Sequence, residues 1–204
     1  ANKMAKQAKG DKKCQPTLEV LKKCIAILNE NKPLRGHSFS ESEKELLQPY
    51  SFLTLKKVLY VANVSEEDVP GFDNEYVRAV KSYAAQEESG VIEICAKLES
   101  EIAVLDPEDQ DEMLESLGLQ SSGLSRLIRA SFSLLDLIVF ITTGEMETRA
   151  WTLRRGQSAP EAAGRIHSDI QKGFIRAEVI KCEDLVQCGS RSLAKEKGLV
   201  ATEG

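Results

Sequence analysis

Two short stretches place polar side chains where an apolar run ends. Asn63-Val64-Ser65-Glu66 follows VLYVA, and Cys95-Ala96-Lys97 follows GVIEI. An Asn amide offers both donor and acceptor, a carboxylate only accepts, and a Lys amine only donates. That set suits the edge of a nucleotide base. The same letters also suit a strand exit followed by a capping turn, and taken alone they leave both readings open. His167 lies beside Asp169 and Arg165, but no Ser or Cys nucleophile and no metal-ligand set is spaced with it, so it reads as a surface or packing histidine. Cys95 reads as a small half-buried residue rather than a redox switch. Arg149, Arg154, Arg155, Arg165, Lys172 and Arg176 scatter positive charge over the last third. They could touch RNA phosphates without base specificity, or serve as solubilising charge balanced by nearby acids.

The elements that must hold the two stretches follow from periodicity. KKVLYVAN is a short β-branched and aromatic run without alternation, as expected of a strand covered on both faces. FDNEYVRAVKSYAAQEE follows as a helix with Tyr76, Val80 and Tyr83 on one side, then GVIEICA as a second strand and KLESEIAVL as a helix. This βαβ order predicts a parallel sheet. Ligands of such sheets sit at the carboxyl ends of the strands, the edge from which both stretches leave.

Upstream, TLEVLKKCIAILNEN spaces Leu18, Leu21, Ile25 and Leu28 as one face of a helix. Pro33 and Gly36 break it, and SESEKELL restarts with a capping box from Ser40 to Glu43. Downstream, Asp106-Pro107 opens a helix with acids in its first turn, a solvated face rather than a cation site. SGLSRLIRASFSLLDL is a further helix with Leu124, Leu127, Ile128 and Leu134 as its apolar side. LIVFITTGEMETRAWTLRRG reads as a hairpin turning at Thr-Gly-Glu. A helix capped from Ser158 to Glu161 follows, with Ala162, Ile166 and Ile170 toward a core, and then the strand IRAEVIKC. Hairpin, helix and strand resemble a small β-grasp module. GLVATEG offers it no closing strand, so the module reads as clipped.

The bulk properties narrow the class. A net charge of −5 over 204 residues gives no global attraction to nucleic acid or an anionic membrane, so any such contact must come from a local patch. Five cysteines, an odd number without a CxxC pair, argue against a disulfide framework or zinc site and for a reduced, cytoplasmic protein. No apolar run reaches the ~18 residues of a membrane span. The lysine-rich ANKMAKQAKGDKK has no apolar signal core and no initiating Met, and reads as the middle of a longer chain.

The segments LTLKKVLYVANVSE, ICAKLESEIAVLDPEDQDEMLESLGL, GLSRLIRASFSLLDLIVFITTGE and RAWTLRRGQSAPEAAGRIHSDIQKGFIRAEV together resemble the Obg-like ATPases of the YchF subfamily. These are P-loop proteins related to GTPases, and the resemblance runs from about Leu53 onward. It implies an α/β fold in three pieces. Residues 1–52 would end a helical, coiled-coil-like insertion, 53–136 would form the C-terminal half of the nucleotide-binding domain, and 137–204 would form a TGS domain with its final strand missing. G-x-x-x-x-G-K-[ST] does not occur in these residues. The phosphate cradle, the Mg²⁺ ligands and the hydrolytic residues are therefore expected outside them, and this polypeptide alone is expected to be inactive.

In this family the resemblance makes Asn63-Val64-Ser65-Glu66 the counterpart of the Asn-Lys-x-Asp loop with which GTPases read guanine. Asn63 would bond the base, Val64 could pack on it, and Glu66, one methylene longer than Asp, would not sit in the guanine fork. Adenine has no N1–H or 2-amino group to satisfy, so ATP is favoured. Cys95-Ala96-Lys97 would flank the purine, with Cys95 where many GTPases carry Ser. Lys57 stands where the family pattern has Pro. The implied protein is an ATP-hydrolysing regulator bound to the ribosome or rRNA, with translation factors as possible partners and no membrane or DNA partner. Two other readings stay open. One is an RNA- or ribosome-binding module with incidental turnover, and the other is a GTPase of the same superfamily.

Overall fold

The computed structural model describes residues 14–144 and 146–204. The lysine-rich start and Glu145 of the hairpin turn lie outside the described residues. Two compact units divide after Leu134.

The first unit opens with α1 (Gln15–Asn29), which Pro16 starts in its first turn. Its buried stripe is Leu18, Val20, Leu21 and Cys24, while Ile25 is 42% exposed. Leu18 and Leu21 of the predicted stripe are buried and Leu28 packs against the core, and only Ile25 is corrected, because Val20 and Cys24 turn toward the next helix. That helix, α2 (Glu41–Leu47), begins with the predicted capping box: Glu43 N–H donates to Ser40 Oγ at 3.2 Å and Ser40 N–H to the Glu43 carboxylate at 2.7 Å. Leu34, Phe39 and Leu47 complete a core with α1, and burial pushes the Cys24 thiol above its usual pKa.

β1 (Leu59–Asn63), α3 (Glu75–Gln86), β2 (Gly90–Ile94) and α4 (Ala96–Ile102) form the predicted βαβα run. The strands pair in parallel, from Leu59 opposite Gly90 to Asn63 opposite Ile94. Asn74 caps α3 by accepting from Val77 N–H at 2.9 Å. Val77 and Ala84 are the buried residues of α3, whereas Tyr76 and Tyr83 are 74% and 52% exposed. α5 (Pro107–Ser116) is the acidic helix, and α6 (Gly123–Leu134) packs on β2 and β1. Leu124 and Ile128 of the predicted apolar side of α6 are exposed.

A buried polar node ties the opening helices to this sheet. Glu87, 7% exposed, accepts from Tyr60 OH at 2.9 Å and faces the Arg35 guanidinium at 3.6 Å. Arg35 also donates from its backbone N–H to Thr54 O and from Nε to Lys56 O. A Cβ on Gly36 would lie 3.3 Å from Gln86 O. The glycine is what lets the turn approach the end of α3 so closely.

The second unit is built from β3 (Leu137–Thr143) and β4 (Thr148–Arg154), an antiparallel hairpin pairing Leu137 with Arg154 through to Thr143 with Thr148. α7 (Ala159–Ile166) packs on β4, with Ala163 and Leu153 buried. The Glu161 carboxylate accepts from Ser158 N–H at 2.7 Å and from its hydroxyl at 2.8 Å. Ile170, predicted to face a core, lies in α8 (Ser168–Lys172) and is 48% exposed. β5 (Ala177–Val179), α9 (Cys182–Cys188), α10 (Arg191–Glu196) and β6 (Ala201–Glu203) follow. GLVATEG was expected to supply no strand, and that is corrected: Ala201–Glu203 lies antiparallel to β5. The pairing comes from β5 rather than from local propensity, which is why a three-residue strand beside two glycines is hard to see in sequence. Among the described residues the β5–β6 pair forms a sheet separate from the hairpin.

Candidate functional site

The parallel register sets Asn63 beside Ile94, so both polar stretches leave from one sheet edge. Val64 N–H donates to Ile94 O at 2.8 Å and extends the ladder by one bond. Ala96 N–H, the first of α4, donates to Asn63 Oδ1 at 3.0 Å. A helix leaves its first N–H groups without intrahelical partners, and here the neighbouring strand supplies one acceptor. The Asn63 amide thereby clamps the two strand exits together.

Glu66 begins a short 3₁₀ turn, Glu66–Asp68. Its carboxylate lies 2.9 Å from Lys97 Nζ, with both side chains partly exposed. The bond to Glu66, and then the carboxylate's charge, hold the Lys97 amine above its usual pKa. Asp68 accepts from Ser65 Oγ and from Asn74 Nδ2, each at 3.0 Å, which ties the loop to the start of α3. Ala96, read from sequence as the end of the strand, and Lys97, read as the start of the helix, are the first residues of α4, and Cys95 is its N-cap.

Val64 and Cys95 point the other way. Both are buried in one cluster with Phe72, Val77 and Leu98. The expectation that Val64 could pack on a base does not survive this burial. Its side chain anchors the loop, and only its backbone remains at the edge.

Three supporting residues escaped sequence reasoning. Glu99 accepts from Gly123 N–H at 2.5 Å and Leu124 N–H at 3.0 Å, so it caps α6 from α4 and holds the two helix starts together. Arg126 donates to Glu93 O at 2.9 Å and stacks on the Phe72 ring at 4.7 Å. Asp68 organises the loop as described. Only Asn74 of the surrounding set carried a local signal, as an Asn immediately before a helix.

A separate cleft of about 820 Å³ in the same unit is lined by Arg35, Phe39, Lys57, Glu87 and Leu134 among others, and by none of the seven strand-end residues. Lys57 donates there to Leu134 O at 2.9 Å. Among the described residues no helix is long and apolar enough to cross a membrane, and no group of three His, Cys, Asp or Glu could hold a metal ion.

The six cations singled out in the second unit do not all share one face. The register sets Arg149 on the side of Trp151 and Leu153, where it stacks on the Trp151 ring at 4.3 Å, and Arg154 on the other side. Arg155 pairs with Asp136 at 3.4 Å and Lys172 with Asp169 at 3.6 Å. Arg165 ends α7, and Arg176 precedes β5. His167 Nδ1 accepts from Asp169 N–H at 3.2 Å, a capping role that agrees with its reading as a surface residue.

A parallel βαβα half-sheet with a polar edge at its strand ends, followed by a hairpin–helix–strand unit, defines a mixed α/β protein. Comparison with known proteins makes this specific. A family model for the YchF GTPase C-terminal region, described as a protein of unknown function (DUF933), matches residues 137–204. "Ribosome-binding ATPase YchF" of Bacillus subtilis is 48% identical over 204 residues, covering 100% of this chain and 55% of that protein. Human "Obg-like ATPase 1" is 37% identical over 199 residues, 96% of this chain and 50% of its own. The solved Schizosaccharomyces pombe YchF GTPase superposes with a TM-score of 0.81 at 29% identity, over 95% of this chain and 52% of that one. The chain is similar to the C-terminal part of the YchF subfamily of Obg-like ATPases. It spans about half the length of the curated relatives it matches.

Proposed function

We propose that these residues supply the base-reading edge of an ATP-binding and ATP-hydrolysing regulator that works at the ribosome. The observation that carries the reading is the clamp from Asn63 Oδ1 to Ala96 N–H, which holds two polar strand exits side by side at the carboxyl edge of a parallel sheet. With Oδ1 engaged by Ala96, the Asn63 amide keeps its Nδ2 donors for the base. Ser65, Glu66 and Lys97 surround that position, and Val64 and Cys95 anchor it from the core. On this reading residues 1–52 end a helical insertion, 53–136 are the second half of the nucleotide domain, and 137–204 are a TGS domain.

The names of the relatives support ATP as the nucleotide and the ribosome as the partner. Mg²⁺ ligands and the phosphate cradle are assigned outside these residues, so no hydrolytic step is placed here. Arg149, Arg154, Arg155, Arg165, Lys172 and Arg176 are proposed as phosphate contacts for rRNA.

The first test is nucleotide affinity of the complete gene product. Asn63→Ala should weaken ATP binding about tenfold, the order of one or two hydrogen bonds to a base. Unchanged affinity would remove the base site from this edge. For the partner, charge reversal at Arg154 and Arg155 should abolish co-sedimentation with ribosomes while ATP still binds. Retained co-sedimentation would count against this unit as the contact surface.

A further inference from the structure

We propose that Lys97 is a specificity-determining residue, the one that stops this site from accepting guanine. The inference rests on the reading of the strand ends as the base edge. It adds a cause that the loop sequence alone does not contain, since Lys97 lies a whole βα unit beyond Glu66.

A carboxylate at the fourth position of such a loop is a guanine reader by its chemistry. It can accept from N1–H and from the 2-amino group together, and adenine offers it neither. Length alone is a weak defence, because Glu66 is partly exposed and on a flexible stem. The structure engages the carboxylate instead. Lys97 Nζ sits 2.9 Å from Glu66 Oε1, neutralising the charge and occupying the acceptor that guanine would need. The backbone that carries each side chain is held in place. Lys97 stands in the first turn of α4, whose Ala96 N–H is held by Asn63 and whose Glu99 is held by the start of α6. Glu66 stands at the start of a turn pinned through Ser65 and Asp68 to Asn74.

Guanine must therefore break an ion pair to be read, whereas adenine binds with the pair intact. The ligand class concerned is the purine nucleoside triphosphate, and the device works by excluding one member of it.

The test measures Kd for ATP and for GTP on the complete gene product. Lys97→Met keeps the stem and removes the charge. It should tighten GTP about tenfold relative to ATP, the value of a charge-assisted hydrogen bond released for use. Lys97→Arg should leave the ratio near that of the parent. In a Glu66→Gln background, Lys97→Met should no longer move the ratio, because the carboxylate it masks is gone. Thermal melting of each variant checks folding, and Lys97 is exposed enough to be replaced without a cavity. A Lys97→Met ratio equal to the parent's, with Asn63→Ala still weakening ATP, overturns the exclusion role and leaves the base site standing. If Asn63→Ala changes neither nucleotide, the base-site reading fails and this inference fails with it.

Discussion

The two units of the chain are held together in different ways. The first buries large side chains in two clusters, one around Leu34, Phe39 and Leu47 and one around Val64, Phe72 and Leu98. Among the described residues the second buries only Leu153, Ala163 and Ala194, two of them alanines, while Ile175 and Val186 are 84% and 79% exposed. Burial of a large apolar side chain contributes about 1.5–3 kcal/mol, so the first unit rests on packing. The second rests on its hairpin ladder, helix caps and surface ion pairs such as Glu178 with Arg191 at 2.6 Å. The lesson is a division of labour. The unit proposed to hold a base edge has the buried core, and the unit proposed to meet RNA keeps its side chains at the surface.

The strongest way to break this comparison is to hollow both cores. Leu34→Ala, at a fully buried position, should cost about 3 kcal/mol in urea denaturation, and Leu153→Ala about 2 because its sparser surroundings can collapse. Equal losses would mean that the second unit is packed as tightly as the first. Next comes the polar node. Arg35→Met strands the buried Glu87 carboxylate with neutral phenol donors and should cost about 2 kcal/mol. A double variant with Glu87→Leu should recover part of that loss in a mutant cycle.

The caps sharpen the contrast at smaller scale. Ser40 and Ser190 each accept a backbone N–H at 3.2 Å, so Ser40→Ala and Ser190→Ala should each cost about 1 kcal/mol. The same loss should lower the melting point of the second unit more, since it has less packing in reserve. The smallest effect is in pH. Hydrogen bonds from Arg191 and Lys195 hold the Glu178 carboxyl below its usual pKa. A lowered folded pKa gives stability that is present above the unfolded value of 4.5 and is lost as pH falls through the folded one. Glu178→Gln should flatten the acid limb of the second unit's stability curve below about pH 4.5. An unchanged limb would show that the pair contributes nothing there, as many exposed pairs do.

Much of the scaffold was legible because its signals are local. The non-alternating runs around Tyr60 and Ile92 read as strands and pair in parallel, but full cover on both faces is corrected, since Val61 is 43% exposed. The Ser40 capping box, the hairpin and the helix after Ser158 follow from residues within a few positions of one another. What was missed depends on contacts between distant parts of the chain. Which side of α1 is buried was decided by α2, so Cys24 replaced Ile25. Val64 turned inward because Phe72 and Leu98 arrive beside it. The bridge from Glu66 to Lys97 and the cap from Glu99 to Gly123 join charges and N–H groups whose partners no periodicity indicates. Both candidate stretches were found from strand ends, and their chemistry was finished by residues elsewhere.

The node at Glu87 also sets an order of assembly. The core of α1 and α2 draws on residues between Val20 and Leu55, so this piece can collapse as soon as it has left the ribosome. Arg35 has its buried partner only once Glu87 has been synthesised. Docking of the helical piece therefore depends on where β1 places Tyr60. A β1 out of register would carry Tyr60 away from Glu87 and leave a buried carboxylate lacking one of its donors.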